Sequence, residues 1–294
     1  MLSGRSSLDN GENCGRETDM NDSNLKFALT RRDALQRLSA STLLALGLWP
    51  GALRASNEVP LGSFRFLVIN DTHCTSPECG PYLEGVVRQM KNEDAEFCLH
   101  AGDVTDKAER NYLEMVKDIF SPLPGDLYPV IGNHDYTSNT DRDSYTRTFP
   151  RRLNYHFRQG GWQFIGLDTS DGLRYEKTSI QAETLQWLDD QLPRLSKTKP
   201  TVIFTHFPLG AGVKYRPENS DALLDRFREF NLQAVFSGHY HAFTERQAGN
   251  ALFTTNRCCA LKRGNHDNTK EKGYFLCSAQ DGRILRSFVE YKPA

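Results

Sequence analysis

Nothing in this sequence is in surplus. Lysine plus arginine number 36 and aspartate plus glutamate 37, which leaves a formal net charge of −1. A chain so balanced has no global basic field with which to hold nucleic acid, and no specific nucleic-acid binding is expected. Cysteine is scarce, with seven scattered residues and no Cys-x-x-Cys pair. That excludes a disulfide-built scaffold and leaves a zinc ribbon without ligands. The longest mostly apolar run, Leu38–Trp49, is about a dozen residues, short of the ~18–20 that cross a bilayer, so no stable membrane span is expected. What remains is 38% apolar and 25% charged over 294 residues, enough for one large globular domain or two small ones.

Residues 1–29 are rich in Ser, Asn, Asp and Gly and read as a disordered leader, with Met20 an alternative start. Thr30-Arg31-Arg32-Asp33-Ala34-Leu35 then precedes the apolar run. Adjacent arginines ahead of such a run resemble a twin-arginine export signal, so 30–57 is read as a signal segment and the protein as exported, to the periplasm or beyond. Ala34 stands where such signals carry a large hydrophobe, and a cut after Ala55 would have Leu53 in place of a small residue. An uncleaved leader or short anchor helix, on a protein that stays in the cytoplasm, is the alternative. Export in a folded state suits an enzyme that must load metal first.

Residues 58–294 read as one catalytic domain. Apolar β-like runs occur at 64–70, 96–100, 128–131, 163–167, 201–205 and 233–236, with helix-period stretches at 82–91, 108–120, 180–192 and 222–230. Asn154–Phe157 and Trp162–Leu167 flank Gly160-Gly161, a hairpin signal, and 251–291 reads as three short strands. Alternating strands and helices predict an α/β layered domain, and the hairpin and strand-rich tail predict mixed pairing. Cys74 and Cys79 flank a short loop and are close enough in sequence to pair, whereas Cys98 reads as a buried small hydrophobe.

Five β-like runs are each followed by polar, chemistry-bearing residues. Asn70-Asp71-Thr72-His73 follows the first, His100-Ala101-Gly102-Asp103 the second, and Gly132-Asn133-His134-Asp135 the third. His206 and Ser237-Gly238-His239-Tyr240-His241 follow two later runs. In open α/β sheets, ligands gather beyond the carboxyl ends of strands, so these side chains are expected on one rim. Carboxylate, imidazole and amide oxygen suit manganese, iron or zinc, with no thiolate to favour a softer metal. Gly-His-x-His alone arises in roughly one shuffled chain of this composition in sixty. It therefore counts only together with the other four motifs.

The ordered set resembles the calcineurin-like metallophosphoesterase family, across about 170 residues. The resemblance implies a four-layer sandwich in which two mixed β-sheets pack face to face between helices. It implies two cations, one held by Asp71, His73, Asp103 and His241 and the other by Asp103, Asn133, His206 and His239, with Asp103 shared. The two ions would activate a hydroxide for attack on a phosphate ester. His134 would face the substrate as proton donor, with Asp135 orienting its imidazole. Asp106 stands where the purple acid phosphatase branch has a tyrosine ligand, which points away from that branch and toward the cyclic-nucleotide phosphodiesterase-like one.

Other residues have plainer readings. Asp106 is expected to cap the helix beginning near Lys107, His100 and His156 to be packing or rim histidines, and Asp168 to be structural. A second Gly-Asn-His-Asp, Gly264–Asp267, follows Lys262-Arg263 and not a strand, so it reads as a surface loop or at most a support for the ligands. Tyr136, Arg142, Lys214, Tyr215 and Arg216 are candidates to meet substrate, and selectivity is expected in loops 136–150, 171–179 and 207–220. The expected function is hydrolysis of a small phosphodiester, cyclic-nucleotide-like in the branch resembled. The alternatives are a phosphomonoesterase acting on nucleotides or phosphoproteins and a non-catalytic metal-binding scaffold. Oligomeric state is not readable from the sequence.

Overall fold

The computed structural model describes residues 61–293. The expected leader and signal segments, 1–29 and 30–57, lie outside them. The first half of the described chain runs β1 (Phe64–Ile69), α1 (Cys79–Met90), β2 (Cys98–His100), α2 (Arg110–Phe120), β3 (Leu127–Pro129), α3 (Asp143–Thr148), β4 (Tyr155–Gln159), β5 (Trp162–Leu167). It continues with α4 (Ala182–Gln191), β6 (Thr201–Thr205), α5 (Ser220–Asp225), β7 (Leu232–Ser237), β8 (Thr244–Ala248), β9 (Ala251–Thr255), β10 (Gly273–Gln280) and β11 (Arg283–Glu290).

The strands form two sheets, ordered β11-β10-β1-β2-β3 and β4-β5-β6-β7-β9-β8. In the first, β1, β2 and β3 are parallel while β10 and β11 add antiparallel. In the second, β5, β6, β7 and β9 are parallel between antiparallel edges β4 and β8. The pairing is mixed, as the hairpin and tail predict. Gly160 and Gly161, at φ +52° and +82°, close the β4–β5 hairpin in the left-handed backbone that such a two-residue turn demands.

Period-two alternation assigns each strand residue to a layer. On β1, Phe64, Phe66 and Val68 enter the core between the sheets, with Phe97, Phe164, Phe204 and Phe236. Leu67 and Ile69 face the opposite way and pack with Leu83 and Val86 of α1 and Leu113 and Val116 of α2. In the second sheet Ile165, Ile203 and Val235 meet Leu188 of α4 and Leu223 of α5. Three apolar interfaces separate four layers, the sandwich expected. The middle one is aromatic: Phe66 stacks on Phe97 at 5.2 Å and Phe157 on Phe164 at 5.0 Å. Phe66, Phe97 and Phe164, the buried rings among these, each contribute about 1.5–3 kcal/mol by leaving water.

Some elements differ from expectation. The helix expected from 108 begins at Arg110, because Ala108 sits at φ +54° with its N–H donated to Thr105 Oγ1. The 222–230 stretch is helical only over α5, Ser220–Asp225. The six described cysteines are all free and buried, so Cys74 and Cys79 do not pair. Cys98 is buried, as its apolar neighbours indicate. Among the described residues, no helix is long and apolar enough to cross a membrane.

Candidate metal centre

The parallel strands bring their carboxyl ends to one rim, and the predicted site residues stand on the loops that leave them. β1 delivers Asp71 and His73, β2 Asp103, β3 Asn133 and His134, β6 His206, and β7 His239 and His241. The approach is close. A methyl added at Gly132 would lie 2.1 Å from Asp103 Oδ1, so only glycine lets the β3 exit lie against that carboxylate. Asp71, His73, Asp103, His239 and His241 all have φ between +41° and +65°, a conformation disfavoured by roughly 1–3 kcal/mol each. The sandwich behind them holds that strain in place.

Asp71, His73, Asp103 and His241 form one buried group and Asp103, His206 and His239 another, with Asp103 common to both. In the first, His241 Nε2 lies 3.2 Å from Asp71 Oδ1 and 3.1 Å from His73 Nε2, and His73 Nε2 lies 3.5 Å from Asp103 Oδ2. In the second, His206 Nε2 is 3.2 Å from Asp103 Oδ1, from Asn133 Oδ1 and from His239 Nδ1. Each of the seven predicted ligands therefore lies within 3.5 Å of at least one other.

The nitrogens facing away from this cluster lie against oxygen. His206 Nδ1 donates to Ala101 O at 2.9 Å, His239 Nε2 to Tyr175 O at 2.8 Å and His241 Nδ1 to Gly264 O at 3.2 Å. His73 Nδ1 is 3.2 Å from Asp106 Oδ1, at ion-pair distance but off line for a strong hydrogen bond. With the outer nitrogens of His206, His239 and His241 carrying protons, their inner nitrogens present lone pairs, and His206 and His239 point theirs at each other. Such a donor set fits a cation. Asp71 is fixed similarly, accepting from Asn70 Nδ2 at 2.6 Å and the His239 N–H at 3.0 Å.

The electrostatics agree. Burial would depress His206 and His241, but the Asp103 and Asp71 carboxylates outweigh it and push them up to about 9 and about 11. Burial, then the positive charge of His206, pushes His239 down to about 3. Two buried carboxylates thus favour positive charge beside them, which a proton on His206 or His241 would supply in the absence of a cation and a bound cation would supply in its place.

Two sequence readings need correction. Asp135 does not touch His134. Its carboxylate turns inward and accepts from the N–H groups of Val104, Thr105 and Gly132 at 2.9–3.0 Å and from the Thr105 hydroxyl. Four donors leave it nothing for an imidazole, and its work is to clamp the β2 and β3 exits together. Asp106 in turn does not cap a helix. Its main-chain oxygen accepts from His134 Nδ1 at 2.9 Å, and its carboxylate stands 3.6 Å from that nitrogen while pairing with Arg263.

The second Gly-Asn-His-Asp supports the site. Gly264 O holds His241, and the His266 ring stacks on His241 at 4.9 Å. Of the candidate substrate contacts, Tyr136 and Tyr215 line a cavity of about 580 Å³ over the cluster. Arg142 is occupied by Asp168 and Glu183, and Arg216 by Leu209 O and Asp221. Asp168 is structural, buried and accepting from Tyr136 Oη at 2.6 Å. His100 packs, with Nε2 3.0 Å from Thr72 Oγ1, and His156 lies on β4 beside Trp187, away from the cluster. Lys107, Tyr175, Arg263 and His266 also line the cavity. Tyr175 falls in the expected selectivity loop 171–179 and His266 in the second Gly-Asn-His-Asp, whereas Lys107 and Arg263, on loops without periodicity, are not among the expected site residues.

The fold and cluster together define a protein built to hold metal at the rim of a four-layer α/β sandwich. A profile of the calcineurin-like phosphoesterase family matches residues 64–243, and the chain belongs to that family. It is 28% identical over 168 residues to a 3′,5′-cyclic-nucleotide phosphodiesterase of Nostoc sp., covering 54% of this chain and 61% of that protein. It is 24% identical over 158 residues to a probable glycerophosphodiester phosphodiesterase of Arcobacter nitrofigilis, covering 50% and 56%. The matches thus span little more than half the length of these curated relatives. A dimetal phosphatase from Danio rerio shares the fold at a TM-score of 0.58 and 17% identity, covering 79% of this chain and all of that one. A purple acid phosphatase from yellow lupin does so at 0.58 and 13%, covering 78% and 52%.

Proposed function

We propose that this chain is a dinuclear metal-dependent phosphodiesterase. The reading rests on one observation: two groups of buried imidazoles and carboxylates that share Asp103. Asp71, His73, Asp103 and His241 would hold one cation, and Asp103, Asn133, His206 and His239 the other. Manganese, iron and zinc all suit this donor set. Bound there, the ions would lower the pKa of water and offset phosphate charge.

The chain's own groups supply the rest. His134 keeps Nδ1 on the Asp106 carbonyl, which leaves Nε2 to hold a proton for the departing ester oxygen. The His134 main-chain N–H holds Asp103 Oδ1 at 2.9 Å, so proton donor and shared carboxylate move as one unit. A diester is favoured over a monoester because both curated relatives are phosphodiesterases by name. A non-catalytic scaffold has no need of His134 at the cavity.

Metal analysis of the purified protein, with hydrolysis of a chromogenic diester and its monoester before and after chelation, tests the reading. We expect about two metal ions per chain and chelator-sensitive diester cleavage; metal-independent cleavage would overturn it. Export through residues 30–57 belongs to the same proposal. Replacing Arg31 and Arg32 with lysine should then retain the protein in the cytoplasm, as cell fractionation would reveal.

A further inference from the structure

The cluster accounts for only one side of the cavity. At about 580 Å³ the cavity falls in the size range of sites for small organic molecules and leaves room beyond a phosphate group. Its remaining lining sets aromatic and apolar side chains beside the polar Lys107, Thr137 and Arg263. Tyr215 stands edge-on to His239 at 5.2 Å and to His266 at 6.2 Å, and His266 stacks on His241. From another loop, Leu173 and Tyr175 reach the same cavity with 46% and 58% of their surface exposed. Large side chains left uncovered at the mouth of a polar site gain from a partner that covers them.

We propose that Tyr175, Tyr215 and His266 form a subsite for a planar, π-bearing substituent of the phosphate ester, an aryl or heteroaryl group, in preference to a polyol. This inference rests on the phosphoesterase reading and names its substrate class. Ring faces attract another ring through stacking, which any flat heterocycle satisfies. A polyol needs hydrogen-bond partners for each hydroxyl, and several of the polar groups nearby, Lys107 excepted, are already committed. Asp106 is taken by Arg263 and His134, His239 by Tyr175 O, and His241 by Gly264 O. The Tyr175 main chain that orients His239 also carries the exposed ring, so the subsite is tied to the cluster by a 2.8 Å hydrogen bond.

The test is calorimetric binding to the metal-loaded protein of two uncleavable phosphonates, those of adenosine 5′-phosphate and methyl β-ribofuranoside 5-phosphate, in which a methoxy group replaces the base. We expect the base to tighten binding about tenfold. Tyr175→Ala and Tyr215→Ala should each bring that ratio below about three, with affinity for the base-free analogue within about twofold, while Tyr215→Phe keeps the ratio. Equal affinity for both compounds, or a ratio unmoved by either alanine, would overturn the subsite. Diester turnover, measured separately, keeps the two readings apart. A protein that binds the base but cleaves no ester retains the subsite and loses the reaction, and cleavage with a ratio of one does the reverse.

Discussion

The tetrapeptide Gly-Asn-His-Asp occurs twice, at 132–135 and at 264–267, and the two copies do different work. In the first, which leaves β3, Asn133 Oδ1 faces His206, His134 enters the cavity and Asp135 clamps three main-chain N–H groups. In the second, Asn265 is consumed by its own loop, accepting from the Cys258 N–H and donating to Thr269 O and Glu271 O. Asp267 accepts from Thr269, and His266 lies against His241. Identical letters acquire different chemistry because a parallel strand aims one copy at the rim while a loop aims the other at itself.

Paired substitutions would break or sharpen this contrast. The largest difference is expected at the histidines. His134→Asn should lower diester turnover by about a hundredfold with metal content retained, while His266→Asn changes cleavage of a substrate without a ring by less than about threefold. Equal losses in steady-state kinetics would mean that both loops act in the reaction. The aspartates come next. Asp135→Ala strands buried N–H donors and should cost roughly 2–4 kcal/mol in chemical denaturation, against about 1 kcal/mol or less for the part-exposed Asp267→Ala. The asparagines should differ least in magnitude but in kind. Asn133→Ala should weaken retention of one metal ion about tenfold, whereas Asn265→Ala keeps the metal and loses about 1 kcal/mol of stability. Metal analysis after stepwise chelation separates the two.

The same contrast explains what was legible in the sequence. Ligands that follow an apolar run were readable, since the run fixes where the strand ends and thus where Asp71, Asp103, Asn133, His206 and His239 emerge. The α/β layering was readable from strands that alternate with helices, and the pairing of two sheets came from the family resemblance. Residues whose role depends on where a loop folds back were not. Neither Asp106 nor Asp135 has its expected duty, because the β2 exit curls onto β3, a tertiary event with no local signature. β8 (Thr-Glu-Arg-Gln-Ala) and α3 (Asp-Ser-Tyr-Thr-Arg-Thr) are polar segments without an apolar period, and nothing local announces them.

Each buried ligand group draws from both sheets, Asp71, His73 and Asp103 from one and His206, His239 and His241 from the other. A bound cation would therefore rivet the two halves of the sandwich at its rim, with the stacked phenylalanines as the spacer that sets the jaw width. Thinning that spacer, as in Phe66→Ala or Phe236→Ala, would detune the grip on metal from the centre of the molecule without altering a single ligand.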